Sequence, residues 1–279
     1  MGANLNIELY KKAYFYFDKP VEYQLKDKKI IYIYPIIVKD SEIFLSSVSV
    51  IGIDKNSSDS VEIIQMSYLD FIYKILFQDE INIDKFSNIL KYCLHIDKFT
   101  IGYDDNDKPY LKDVDSNIII RYKDFENIKR IILYQNILRY DDEYVNPEIR
   151  KMMNEVDSVK NSGIEFPTIE RKMAIITAHC GLSKQEQMDM TYRSHSLLFE
   201  EVYGEVEFET IRPILLYAGK GNEIDHWIYK KKKNKYDGYM IDSEAYASKI
   251  GANQSSIKST SDVQYGENLT QQFNNFINK

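Results

Sequence analysis

"KDFENIKRIILYQNIL", residues 123–138, is where the chain changes its pattern. From Tyr122 onward apolar residues return with a helical period, and Asp124 sits near the start, where a carboxylate favours the helix dipole. Ahead of this stretch, β-branched and aromatic runs alternate with shorter helical ones. The fold class read from that change is α+β: a strand-rich N-terminal part with helices, then a mainly helical domain. We place the domains at 1–121, 122–229 and a flexible C-terminal tail at 230–279.

Working backward, "KKIIYIYPIIVKD" (28–40) and "SEIFLSSVSVIGI" (41–53) read as strands, with Pro35 placing the first at an edge or a bulge because proline cannot donate to the ladder. "MSYLDFIYKILF" (66–77) carries Tyr68, Leu69, Ile72, Ile75 and Leu76 at helical spacing, with Ser67 and Asp70 as an N-cap pair. "IDKFSNILKYCL" (83–94) is the next helix. "KFTIGYDDNDKPYLKDVDSNIIIRY" (98–122) reads as two strands around a polar turn.

Working forward, "NPEIRKMMNEVDSVKN" (146–161) has Asn146 as cap and Pro147 at the first helical position, where a missing N–H costs nothing, and Gly163 ends it. "PTIERKMAIITAHCG" (167–181) is opened by Pro167-Thr168 and stopped by Gly181. Ser183 and Glu186 form a capping box for a short helix ending near Thr191. "YRSHSLLFEEVYGEVEFE" (192–209) places Leu198, Phe199, Val202, Tyr203 and Val206 on one face. Thr210 and Pro213 then predict a break and a further helix, ending at Gly219 and Gly221. Trp227 is the last buried anchor expected. Beyond it the chain is rich in Ser, Asn and Gln, too polar to offset the entropy of ordering, although Leu269, Phe273, Phe276 and Ile277 outline a weak amphipathic helix.

Composition bounds the function. Of 279 residues 44% are apolar and 28% charged, which are globular proportions, and the net charge of −7 opposes general nucleic-acid binding, which needs a basic field. The 23 tyrosines accompany abundant Ile, Asn and Lys, all encoded by A- and T-rich codons. Two cysteines, Cys93 and Cys180, are too few for a disulfide framework, and each lies in an apolar helical pattern that predicts packing as a small hydrophobe in a reducing compartment. No leader or membrane span is read, and Asn6 stands where a myristoylation signal wants Ser or Thr after Met1-Gly2. The expected location is the cytoplasm.

No chemical motif completes itself. The four histidines, His95, His179, His195 and His226, never pair at i, i+3 or i, i+4, the spacing that puts two ligands on one helix face. The acids from Asp104 start like a calcium loop, but the turn glycine is missing and Ser116 stands at the twelfth position from Asp105, so a hairpin turn is the reading. Asp157 with Glu170, Arg171 and Lys172 imitates the acids and lysine of a metal-dependent nuclease, yet on helical segments rather than strands. Gly219-Lys220-Gly221 has no strand before it and no Ser or Thr after the lysine, so it reads as a helix end and not a phosphate loop. Catalysis, cofactor and metal are therefore not expected. The run Lys230, Lys231, Lys232 and Lys233 reads first as a solvated helix end, next as a docking patch for an acidic partner and last as a nucleic-acid contact.

"FENIKRIILYQNIL" followed by "YDDEYVNPE", then "MAIITAHCGLSKQEQMDMTYRSHSLLFEEVYGEVEF" with its Met190-Thr191 helix junction, then "DHWIYKKKK", resembles the tail assembly chaperones of long-tailed bacteriophages. The resemblance spans roughly residues 60–233 and is one of pattern rather than identity, and the strand-rich N-terminal segment is longer than that family's. It implies a cytosolic, non-enzymatic protein that holds the tape measure protein and recruits tail tube protein before assembly. It also implies that Lys230–Lys233 mark the boundary between a core and an extension made by ribosomal frameshifting, since adenine runs encode lysine runs. Phe199, Val202, Tyr203 and Trp227 are the candidates for packing or partner contact, with the four lysines for electrostatic docking. A virion structural subunit, in the baseplate or a tail connector, is the alternative.

Overall fold

A computed structural model of the chain describes residues 5–58, 60–143, 145–163, 165–224 and 226–228. Lys230–Lys233, the rest of the expected tail and Met1-Gly2 lie outside the described residues. The described chain forms two units: one holds residues 5–150 and 163–227, except those not described, and the other contains Lys151–Ser162 and Ile228.

The first unit opens with helix α1 (Ile7–Ala13) and a hairpin of β1 (Val21–Gln24) and β2 (Ile30–Ile33), antiparallel with Val21 opposite Ile33. Val21, Tyr23, Ile31 and Ile33 face the core while Glu22, Gln24, Ile30 and Tyr32 face outward, the two-residue alternation of a one-sided sheet. Helices α2 (Ser41–Ser47), α3 (Ser49–Gly52), α4 (Val61–Gln65), α5 (Tyr68–Lys74) and α6 (Glu80–Leu94) follow. A meander of β3 (Phe99–Tyr103), β4 (Pro109–Asp113) and β5 (Ile119–Arg121) leads into α7 (Tyr122–Asn136). Helix α8 (Pro147–Lys160) leaves this unit at Arg150; α9 (Ile169–Cys180), α10 (Lys184–Asp189) and α11 (Tyr192–Tyr217) complete it. The α+β class stands.

The core gathers around α6 and α7. Phe86 meets Phe77, Phe99 and Phe125 at ring distances of 5.5, 5.4 and 5.8 Å, tying α6 to β3 and α7. Each such pair adds about 0.5–1.5 kcal/mol to the burial of its area. Helix α7 buries Phe125, Ile128, Ile131, Ile132 and Leu133 in the same apolar interior as the hairpin residues Val21 and Ile33. The helix that opens the second half of the sequence is thus a wall of the first half's core. Tyr23 fixes their register, donating to Asp124 at 3.2 Å and accepting from Asn127 at 3.0 Å; burial raises its phenol to about 12, so it stays protonated.

Several sequence expectations change. Residues 41–53 are helical, not a strand: Phe44, Ser47, Val50 and Ile51 turn one face inward, and α2 packs along α6, where the small Ser47 accepts from Asn88. The β-branched residues suit a strand locally, but docking on α6 overrides that weak preference. "KKIIYIYPIIVKD" keeps only β2 as strand; Pro35 follows it and the chain tightens into a 3-10 turn at Val38–Asp40. Cys180 is exposed rather than packed, whereas Cys93 is buried.

Other local signals stand as read. Ser67 accepts from the Asp70 N–H at 3.1 Å, Asn146 from the Glu148 N–H at 2.9 Å, and the Ser183–Glu186 box is complete. Asp104 accepts from the backbone of Asn106 and Lys108, the hairpin turn that its sequence implies; a third strand, β5, follows beyond the expected two. In the other unit, α8 runs on to Lys160 with Met152 and Val159 exposed.

Candidate docking surface

Helix α11 is the element that carries the sequence-predicted residues, and its two halves have different surroundings. Its first turn is tied to the core by backbone and side chains together. Tyr192 N–H donates to Ile36 O at 2.7 Å and Val38 N–H to Met190 O at 2.9 Å, closing a bridge between Ile37 and Thr191. Asp18, in a left-handed backbone conformation, accepts from the hydroxyls of Thr191 (2.5 Å) and Ser194 (2.9 Å), placing a carboxylate at the positive end of the helix. Arg193 donates to Tyr134 O at 3.2 Å.

One turn further, His195 is 1% exposed and faces Gln187 Oε1 at 3.2 Å. That carbonyl oxygen only accepts, so the proton of neutral His195 resides on Nε2. Gln187 spends its amide on Met173 O, Thr177 Oγ1 and Leu182 O, which binds α9, α10 and α11 into one block. Burial lowers the His195 pKa, and nearby Lys172 lowers it further. Sequence reading missed Asp18, whose partners Thr191 and Ser194 are remote in the chain, and Gln187, which bridges neighbouring helices through contacts that follow no cap or helical spacing.

Of the expected partner contacts, Val202 is buried at 4% exposure and Phe199 is half-buried, with the Lys172 ammonium 5.4 Å above its ring. Both pack α11 onto the block. Trp227 lies against α11 on a different face: its ring is 5.2 Å from Phe208 and stacks on His226 at 4.2 Å. A Cβ on Gly204 would come within 2.8 Å of Trp227 Cδ1, so the glycine is what admits the indole. Tyr203 is 59% exposed. The four lysines lie outside the described residues.

The helix does not break at Thr210. Its hydroxyl donates back to Val206 O at 2.8 Å, a helix-interior bond, and α11 runs through Pro213 to Tyr217. This continuity, against the expected break, brings Tyr203, Val206, Thr210, Ile214 and Tyr217 into one register with spacings of three and four. At 100° per residue they fall within an arc of about 80°. Val206 is 39%, Ile214 61% and Tyr217 94% exposed, an apolar stripe on a helix that has left its support. Beside it, Phe208, Glu209, Arg212, Pro213, Leu216 and Tyr217 line a shallow open groove.

Among the described residues no group of three His, Cys, Asp or Glu side chains is placed to hold a metal ion. Of the nuclease-like residues, Glu170 and Lys172 are on α9, where Lys172 covers Phe199, while Asp157 belongs to the other unit. Cys180 and His179, adjacent at the end of α9, are both exposed. Among the described residues no helix is long and apolar enough to cross a membrane. Compared with models of protein families, with curated proteins and with solved structures, the chain matches none.

Proposed function

We propose that the protein is a non-catalytic assembly factor that binds a helix of its partner, acting in the host cytoplasm as the phage tail assembly chaperones it resembles do. In that role it holds the tape measure protein before the tube polymerises and recruits tail tube protein, with neither membrane nor specific nucleic acid as partner. The observation that carries this reading is the apolar stripe of α11. Soluble proteins place exposed apolar residues singly; a row at helical spacing on an unsupported helix is suited to receive another helix. Burial of such side chains is worth about 25 cal/mol per Å² of area removed from water, before the entropic cost of association.

The test is mass spectrometry of purified particles and of the soluble lysate from cells expressing the native gene neighbourhood. The expected result is the protein in the lysate, bound to a long helical partner, and its absence from particles. Presence in particles at fixed copy number would replace this reading with that of a baseplate or connector subunit.

A further inference from the structure

The stripe on α11 is bordered by charge of one sign. Glu207 lies next to it on one side and Glu209 on the other, with Glu205 and Glu201 further round, all exposed. Glu205, Glu207 and Glu209 make no ion pair among the described residues, whereas Glu200 is already engaged by Arg139 at 3.1 Å. Arg212 is the one basic residue between positions 200 and 217. Pro213 has no N–H, so the Glu209 carbonyl lacks its i+4 donor and adds a further acceptor on that flank.

We propose that the occupant of this face is an amphipathic helix whose apolar seam is flanked by lysine or arginine. This rests on the helix-binding reading above and specifies the chemistry of the partner. Tyr203, Val206, Ile214 and Tyr217 receive the seam; Glu207 and Glu209 receive the cations, as flanking charges set partner choice in paired helices. A second copy of α11 fits poorly, because pairing two stripes would bring acidic borders together. An acidic partner helix meets the same repulsion.

The experiment uses the full chain and two synthetic helical peptides with the same leucine seam, one flanked by lysine and the other by glutamate, followed by fluorescence anisotropy at low and high salt. The lysine peptide is expected to bind about tenfold more tightly at low salt, with the preference shrinking as screening increases. Glu207→Lys with Glu209→Lys should reverse the order, and Ile214→Ser or Tyr203→Ser should weaken both peptides. All four positions are exposed, and circular dichroism checks that each variant is folded. Equal binding of the two peptides would overturn the charge inference and leave the helix-binding reading intact. Binding of neither would sink both. Binding untouched by Ile214→Ser and Tyr203→Ser would move the site off α11, and a concentration-dependent dimer abolished by Ile214→Ser would put a second copy on the face; either overturns the proposal.

Discussion

Helices α7 and α11 both carry apolar residues at helical spacing but are used in opposite ways. Over 15 residues α7 buries eight, among them the polar Asp124, Gln135 and Asn136. Over 26 residues α11 buries two, His195 and Val202. The difference lies in what surrounds each helix. Strands β2 and β4 and helices α1 and α5 all pack on α7, so even its polar side chains are enlisted: Asn136 accepts from Ile36 N–H at 2.8 Å and donates to Ile132 O at 2.9 Å. Helix α11 is held mainly through its first three turns; beyond them Phe208 and Leu215 are half-buried, Phe208 against Trp227, while Val206, Ile214, Leu216 and Tyr217 stay in water. A long helix with an apolar face can therefore be a core element or a displayed surface, and only the neighbours decide which.

Truncation should separate the two most sharply. Phe125→Ala empties a site on α7 that is 2% exposed and touches Phe86, so it should cost about 3–5 kcal/mol, the usual loss for a buried phenylalanine. Tyr217→Ala, at the bare end of α11, should stay within about 0.5 kcal/mol of the parent chain. Urea unfolding at neutral pH measures both. A large loss at Tyr217, or a small one at Phe125, would remove the distinction drawn between the helices.

The next effect is smaller and depends on pH. His195 fastens the held half of α11, and its folded pKa lies below the ordinary 6.5. At pH values just under 6.5 the unfolded chain binds a proton there that the folded chain refuses, so unfolding is favoured as the pH falls. Stability should be full above about 6.5 and decline below it towards the lowered folded value. His195→Gln, which keeps a donor facing Gln187, should flatten that decline between pH 7.5 and 5.5. An unchanged slope would mean that His195 is protonated as readily in the folded chain as in the unfolded one.

Much of the fold was legible because much of it is local. Asn146-Pro147, Thr168, Gly181 and the Ser183–Glu186 box mark their helix ends within three residues, and the structure uses each of them. Residues 41–53 misled because a short β-branched run fits strand and buried helix equally well, and the arbiter is α6, which lies beyond two further helices in the chain. The surface was half legible. Tyr203 and Val206 stood out at helical spacing, but Thr210 and Pro213 predicted a break, which hid the phase relation to Ile214 and Tyr217. Proline is tolerated there because it is on an exposed part of the helix, where water can take up the freed carbonyl. Asp18, Gln187 and the role of Gly204 come from contacts that no periodicity encodes.

Gly204 marks the place where α11 passes from held to bare, and it offers the finest probe of that boundary. The chain has one tryptophan, so intrinsic emission reports Trp227 alone among indoles. In Gly204→Ala the new Cβ would stand 2.8 Å from Trp227 Cδ1, closer than non-bonded carbons approach, and the indole must move off the helix or tilt. Two effects on stability oppose each other: alanine favours the helix by about 1 kcal/mol over glycine, and the lost contact with the ring takes a comparable amount away. Global stability should then change by less than about 1 kcal/mol while the emission maximum moves to longer wavelength. Val206→Ala, two residues on but facing away from the indole, should leave the spectrum as it is. If Gly204→Ala leaves it unchanged as well, Trp227 is not seated on Gly204 in solution, and the bare part of α11 begins earlier than Gly204, extending the available docking face around the helix.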